Sequence, residues 1–282
     1  MAMKSDFSKG SVAGNIMSLA VPMTLAQLVN VLYNVVDRIY IGRMPENATL
    51  AMTGLGVCFP IITMVIAFAN LFGMGGAPLC TIARGKGDQK EAESIMGNSF
   101  ILVLISGAVL TVLGLLLKEP LLYAFGASAE TFPFADQYIT IYLCGSIFVM
   151  ISLGMNSFIN SQGFGRVGMT TVLCGAVANI VLDPIFIFTL RMGIQGAALA
   201  TVLSQFLSAV WVLWFLTGKK AILRLKKECF RLKWKRICSI TALGTTGFTM
   251  SITNCAVQII CNSTLQIYGG DLYVGIMTVI NS

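Results

Sequence analysis

The 282 residues contain no histidine, and only 11% of them are Asp, Glu, Lys or Arg. Without imidazole there can be no His-based zinc site and no Ser–His or Cys–His catalytic pair. A soluble domain is about 25% charged, so the scarcity of charge excludes an ordinary water-facing surface. Prolines number only seven, and each one inside an apolar run therefore stands out. The eight cysteines (58, 80, 144, 174, 229, 238, 255 and 261) include no C-x-x-C pair. Most lie in apolar runs and read as small buried hydrophobes rather than metal ligands.

What the chain does have is apolar length: 56% hydrophobic residues and a mean hydropathy of +0.82. A bilayer-spanning helix needs about 20 mostly apolar residues. Seven such runs occur, near 12–36, 50–82, 94–117, 134–160, 168–190, 194–217 and 237–267, and an eighth begins near Leu272. The fold class is an all-α integral membrane protein. The first run is longer than the apolar core of a removable leader and carries internal Asn residues, so it reads as span 1.

The net charge of +7 could suggest nucleic acid, but its distribution argues for a membrane instead. With the N-terminus inside, cytoplasmic segments hold Lys4, Lys9, Arg84, Lys86, Lys90, Arg166 and the nine basic residues of 219–236, which is 15 of the 19. The other side holds Arg38, Arg43, Lys118 and Arg191. This split follows the positive-inside rule and predicts a multi-pass protein of the cytoplasmic membrane.

Connections between spans are short, such as "RMPENAT" (43–49), "RGKGDQKEA" (84–92) and "SQGFGRVG" (161–168). The exception is the basic stretch 218–236. It divides a six-helix unit (1–217) from a following segment (237–282), and reads either as a helix on an anionic leaflet or as a solvated linker. A shift of 224 residues puts Asn30 on Asn254 and Asn34 on Gln258, a faint internal repeat of the kind transporters carry.

"GFGRVG" (163–168) is a literal G-x-G-x-x-G, but a dinucleotide fingerprint needs a strand before it and a soluble α/β context. Between two membrane helices it reads as a turn. "GMGGAP" (73–78) lacks the Lys-Ser/Thr tail of a phosphate loop and reads as small residues that let helices approach.

Gln27, Asn30, Asn34 and Asp37 are spaced 3, 4 and 3 and share one face of span 1. A polar stripe this long belongs against a cavity or partner helices, not lipid. The bland alternative is that Asp37 pairs with Arg38 or Arg43 at the outer surface. Pro22, in the same helix, supplies no N–H and is expected to bend it.

The costliest residue is Asp183, inside "NIVLDPIFIF" (179–188). A carboxylate at bilayer depth costs roughly 2.5–3.5 kcal/mol on insertion scales. Asn179 sits one turn before it. Pro184 follows, withholding an N–H from the carbonyl of Ile180 and biasing Asp183 away from helical geometry. A carboxylate, an amide oxygen and a freed carbonyl within one turn are suited to a desolvated cation or a shared proton. Thr201 and Gln205 on span 6, and Asn156 and Asn160 on span 4, are further i, i+4 polar pairs. Polar glue between helices accounts for the Asn and Thr residues, but poorly for Asp183. An aspartyl dyad of Asp37 and Asp183, acting as a membrane-embedded enzyme, is a rival reading.

The runs "VPMTLAQLVNVLYNVVDRIYIGR", "GKGDQKEA", "NSFINSQGFGRVGMTTVLCGAVANIVLDPIFIF" and "GIQGAALATVLSQF" resemble the multidrug and toxic compound extrusion (MATE) family. The resemblance implies twelve spans in two six-helix lobes around a central cavity, with cation-coupled efflux of organic cations. This chain then covers one lobe and the start of another. It also implies that Asp37, Asn179, Asp183 and Thr201 form a first-lobe cation site for H⁺ or Na⁺, that Pro22 is the bending proline and that Asn156 is a polar neighbour. No cofactor beyond the coupling ion is implied, and the expected partners are small organic cations, a monovalent cation and membrane lipid, with no nucleic acid. Gln258 is expected beside the cavity from span 7, which carries no carboxylate. A lipid-linked glycan flippase of the same superfamily is the related alternative.

Overall fold

The computed structural model describes residues 12–44 and 47–280. Lys4 and Lys9, and Pro45 and Glu46 of the first loop, lie outside the described residues. The chain forms α1 (Val12–Gly42), α2 (Ala48–Gly85), α3 (Gln89–Ala124), α4 (Phe132–Ser161), α5 (Gly165–Pro184), a π-helical turn (Ile185–Thr189), α6 (Ile194–Thr217), a short 3₁₀ turn (Lys227–Phe230) and α7 (Trp234–Ile280). No strand occurs among the described residues. Helices satisfy every backbone donor and acceptor within one segment, which is what apolar surroundings demand.

Local chemistry sets the turns. Gly87, at φ 82°, closes the α2–α3 turn. Asp88 then caps α3, accepting the Glu91 N–H at 2.9 Å. In "GFGRVG", Gly163 takes φ 91° just before α5, a helix-to-helix turn as expected.

Among the described residues, six helical segments are long and apolar enough to cross a membrane: α1, α2, α3, α4, α5 with its π-helical turn, and α6. The seventh expected span is helical but does not join them, because Ser, Thr, Asn and Gln dilute its apolar run. It belongs to α7, whose helix is interrupted at Gly270 (φ 70°, ψ −169°). There the chain doubles back along α2. Asn262 donates to the Gly56 carbonyl at 3.1 Å before the break, and Thr278 packs on Gly56 after it.

α2 is the hub, packed by α3, α4 and α7, while α1 lies mainly against α5. The "GMGGAP" glycines make these contacts possible. A Cβ on Gly73 would meet the Gly154 carbonyl oxygen of α4 at 2.6 Å, and one on Gly75 would meet the Ile240 carbonyl oxygen of α7 at 2.1 Å. Close backbone approach through small residues is how membrane helices gain packing without a hydrophobic drive.

Three expectations need correction. Asn254, Gln258 and Asn262, at every fourth position of span 7, are expected as a polar stripe exposed to lipid; Asn262 is instead buried, Gln258 accepts from Thr63 at 3.2 Å, and of the three Asn254 alone is exposed. They face α2 because its small residues leave room for them. Second, the cysteines are not uniformly buried. Cys58, Cys80 and Cys255 are, but Cys144, Cys174 and Cys238 lie on the outer surface, where a thiol is apolar enough to sit. Third, the basic stretch forms no helix lying on a leaflet. Apart from the 3₁₀ turn it is irregular up to Trp234, and it is strapped to the lobe.

Buried polar side chains hold that strap. Asn98 donates to the carbonyls of Cys229 and Arg231 and accepts the Lys233 N–H, at 3.2, 3.0 and 3.0 Å. Gln162 accepts the Leu223 N–H at 2.9 Å. Glu93 pairs with Lys226 at 2.7 Å, and Glu91 with Arg236. Glu93 raises the Lys226 ammonium above its ordinary range by holding its charged form. Side-chain partners thus replace the helical hydrogen bonds that this stretch gives up.

Candidate functional site

α5 carries the pair on which the site is built. Asn179 and Asp183, one turn apart, share its buried face, with 2% and 0% of their surfaces exposed. Asn179 Nδ2 donates to Asp183 Oδ1 at 3.2 Å. Asp183 Oδ2 and Asn179 Oδ1 find no donor in the protein. Contrary to the expectation for a residue before proline, Asp183 is helical, and so is Pro184 (φ −64°, ψ −30°). Tight burial outweighs the steric bias, and the irregular geometry moves downstream into the π-helical turn, where Leu190 N–H reaches the Ile185 carbonyl at 2.9 Å.

α1 brings the second carboxyl. Asp37 faces Asp183 at hydrogen-bonding distance, and Asp37 Oδ1 has no protein donor. Among the described residues Asp37 makes no ion pair with Arg38 or Arg43, so the outer-surface pairing does not form. Two carboxyls side by side, one of them fully buried, favour a shared proton or a cation between them. The oxygens without donors (one each from Asp37, Asn179 and Asp183) are the hard ligands Na⁺ takes. These residues fit either ion.

Asp37 also lines a cavity of about 330 Å³ between α1, α2, α4, α5, α6 and α7. Asn30, Asn34, Asn156, Thr201 and Gln258 line it too, whereas Asp183 and Asn179 sit behind its wall. Thr201 donates to the Ala197 carbonyl at 3.0 Å and meets the Tyr138 hydroxyl. Asn156 donates to the Gly168 carbonyl at 3.3 Å, leaving Oδ1 without a donor. Gln27 lies outside the cavity and is exposed. It is one turn before Asn30 and rotated off the line of Asn30, Asn34 and Asp37, so it clears the cavity wall. Pro22 is buried within an unbroken α1.

Several lining residues escape a reading of the sequence. Tyr33, Phe59, Thr63, Tyr138 and Tyr142 contribute to the wall. Tyr138 and Tyr142 are both buried at i, i+4, a spacing visible in the sequence but shared with any core helix. Arg38 reads in the sequence as an outer-surface charge; its guanidinium instead lies over the Phe59 ring, 5.0 Å from the centroid, and faces the cavity.

Comparison with known proteins gives this geometry a context. The chain is 26% identical over 263 residues to the multidrug export protein MepA of Staphylococcus saprophyticus, covering 93% of this chain and 58% of that protein. It therefore spans a little over half the length of the curated relatives it matches. Among solved structures it is similar to a ligand complex of the MATE multidrug transporter DinF-BH, at 31% identity and a TM-score of 0.88, over 98% of this chain and 62% of that one. It is also similar to an inward-facing MATE family transporter of the MOP superfamily, at 26% identity and a TM-score of 0.83, over 94% and 60%. The MatE family description matches residues 22–185, a stretch that holds α2 to α5 entire and both Asp37 and Asp183. This chain is a multi-pass membrane protein of the MATE family.

Proposed function

We propose that the chain serves a cation-coupled exporter of small organic molecules, organic cations among them, in the cytoplasmic membrane with its N-terminus inside. The observation that carries this is Asp183: fully buried, beside Asp37, with an oxygen that no protein donor meets. The Asp37–Asn179–Asp183 cluster, with Thr201 nearby, takes the coupling ion, either H⁺ or Na⁺. The adjoining cavity takes the substrate, and Asp37 belongs to both. An ion entering the cluster therefore alters the cavity wall, which is the linkage an antiporter requires. Pro22 lets α1 take two arrangements, since a proline removes one rung of the helical ladder.

The relatives' names support transport rather than catalysis by an aspartyl dyad. The acidic pair also favours ion coupling over a flippase built on a basic cavity. The division into a six-helix lobe (1–217), a linker (218–236) and a following segment (237–282) is part of this proposal, as is the repeat relating α7 to α1. The test is efflux of rhodamine 6G from proteoliposomes under an imposed Na⁺ or H⁺ gradient, comparing parent with Asp183→Asn. Gradient-driven efflux that is absent in the variant supports the reading; efflux unaffected by either gradient sinks it.

A further inference from the structure

We propose that the cavity binds aromatic small molecules through an acidic group, and that Arg38 is the residue that reads that group. This rests on the cavity being the substrate site. Among the described residues lining it, Arg38 is the only base and Asp37 the only acid. The two make no ion pair, although they are sequence neighbours that feel each other's charge: Asp37 turns to Asp183. Arg38 Nη1 is buried and finds no acceptor in the protein.

Phe59 fixes how this guanidinium is presented. The guanidinium carbon lies 5.0 Å from the ring centroid, and Nη1 is left without a protein acceptor. A planar fork is matched by a planar carboxylate or by a sulfonate, through two parallel charge-assisted hydrogen bonds. Tyr33, Phe59, Tyr138 and Tyr142 supply aromatic surface for the rest of such a ligand. A zwitterion meets both neighbours, its acidic group on Arg38 and its cationic end toward Asp37. An organic cation with no acidic group leaves Arg38 unanswered.

The experiment uses the full chain in lipid nanodiscs and two dyes on one xanthene frame: rhodamine 6G, an ethyl ester, and rhodamine 19, its free carboxylic acid. Binding is read by fluorescence anisotropy. The expected result is that rhodamine 19 binds about tenfold more tightly, a charge-assisted hydrogen-bond increment. Arg38→Gln removes that preference while changing rhodamine 6G affinity less than about twofold. Phe59→Leu, which keeps the charge but loses the ring, shrinks the preference, and its loss of aromatic contact weakens both dyes alike. Retained rhodamine 6G binding reports that each variant is folded. Equal affinities in the parent, or a preference that survives Arg38→Gln, overturns the inference and leaves the transport reading standing. Binding of neither dye overturns both.

Discussion

Asp37 on α1 and Asp183 on α5 turn their carboxyl groups toward each other at hydrogen-bonding distance, with Asn179 donating to Asp183 from one turn away. Two helices are thereby joined by a contact whose sign depends on what lies in it. With a proton or cation present the contact attracts; with two bare carboxylates it repels. Under the proposed function, the packing of α1 on α5 is thus responsive to an ion.

Asp183→Asn removes the charge and little volume. The expected outcome is loss of Na⁺ or H⁺ binding, at least about tenfold in affinity, with membrane insertion unchanged. Calorimetry with Na⁺, and intrinsic fluorescence followed over pH, read the two ions separately. Binding at parental strength would remove Asp183 from the site.

Pro22→Ala restores an N–H to the first half of α1. The variant is expected to stiffen that helix, so that ion binding no longer alters the distance between spin labels placed at its two ends. A response equal to the parent's would show that the flexible element lies elsewhere.

Asn98→Ala withdraws the side chain that holds three backbone groups of the basic strap. Each such bond contributes about 1 kcal/mol net, so the loss should come to roughly 2–3 kcal/mol. Thermal melting in detergent is expected to fall, and trypsin should cut within 218–236 far sooner. A strap as resistant as the parent's would mean that the Glu91–Arg236 and Glu93–Lys226 pairs suffice.

Gly244→Val places a branched side chain where a Cβ alone would come within 1.9 Å of the Leu71 carbonyl oxygen. Backbone cannot yield cheaply at that contact, so α7 should separate from α2 and stability should drop by at least about 2 kcal/mol. A cysteine pair at Thr63 and Gln258, which hydrogen-bond in the parent, reports the separation through lost crosslinking. Undiminished crosslinking would show that α7 is held by other contacts.

The amino-acid sequence determined the membrane class, because runs of 20 apolar residues cannot be hidden in any soluble fold of this size. It determined the helical state as well, since backbone groups in apolar surroundings must be paired within a segment. Asp183 and Asn179 could be singled out for the same reason: burial cost is a property of residue type and needs no coordinates. Asn30, Asn34 and Asp37 followed from helical spacing alone.

What tertiary structure alone decided was which faces meet. Asp37 and Asp183 come together because α1 packs on α5, a relation between distant segments that periodicity does not carry. Arg38 illustrates the limit most clearly: a base near a span end reads as an outer-surface charge, yet stacking on Phe59 turns it into the cavity. Gln27 erred the other way, since one turn and a modest rotation separate a cavity residue from an exposed one. The strap and the polar face of α7 were likewise settled by partners, Asn98 and Gln162 for one and the glycine-lined surface of α2 for the other. A sequence fixes the cost of burying each group; only the packed chain supplies the neighbour that offsets it.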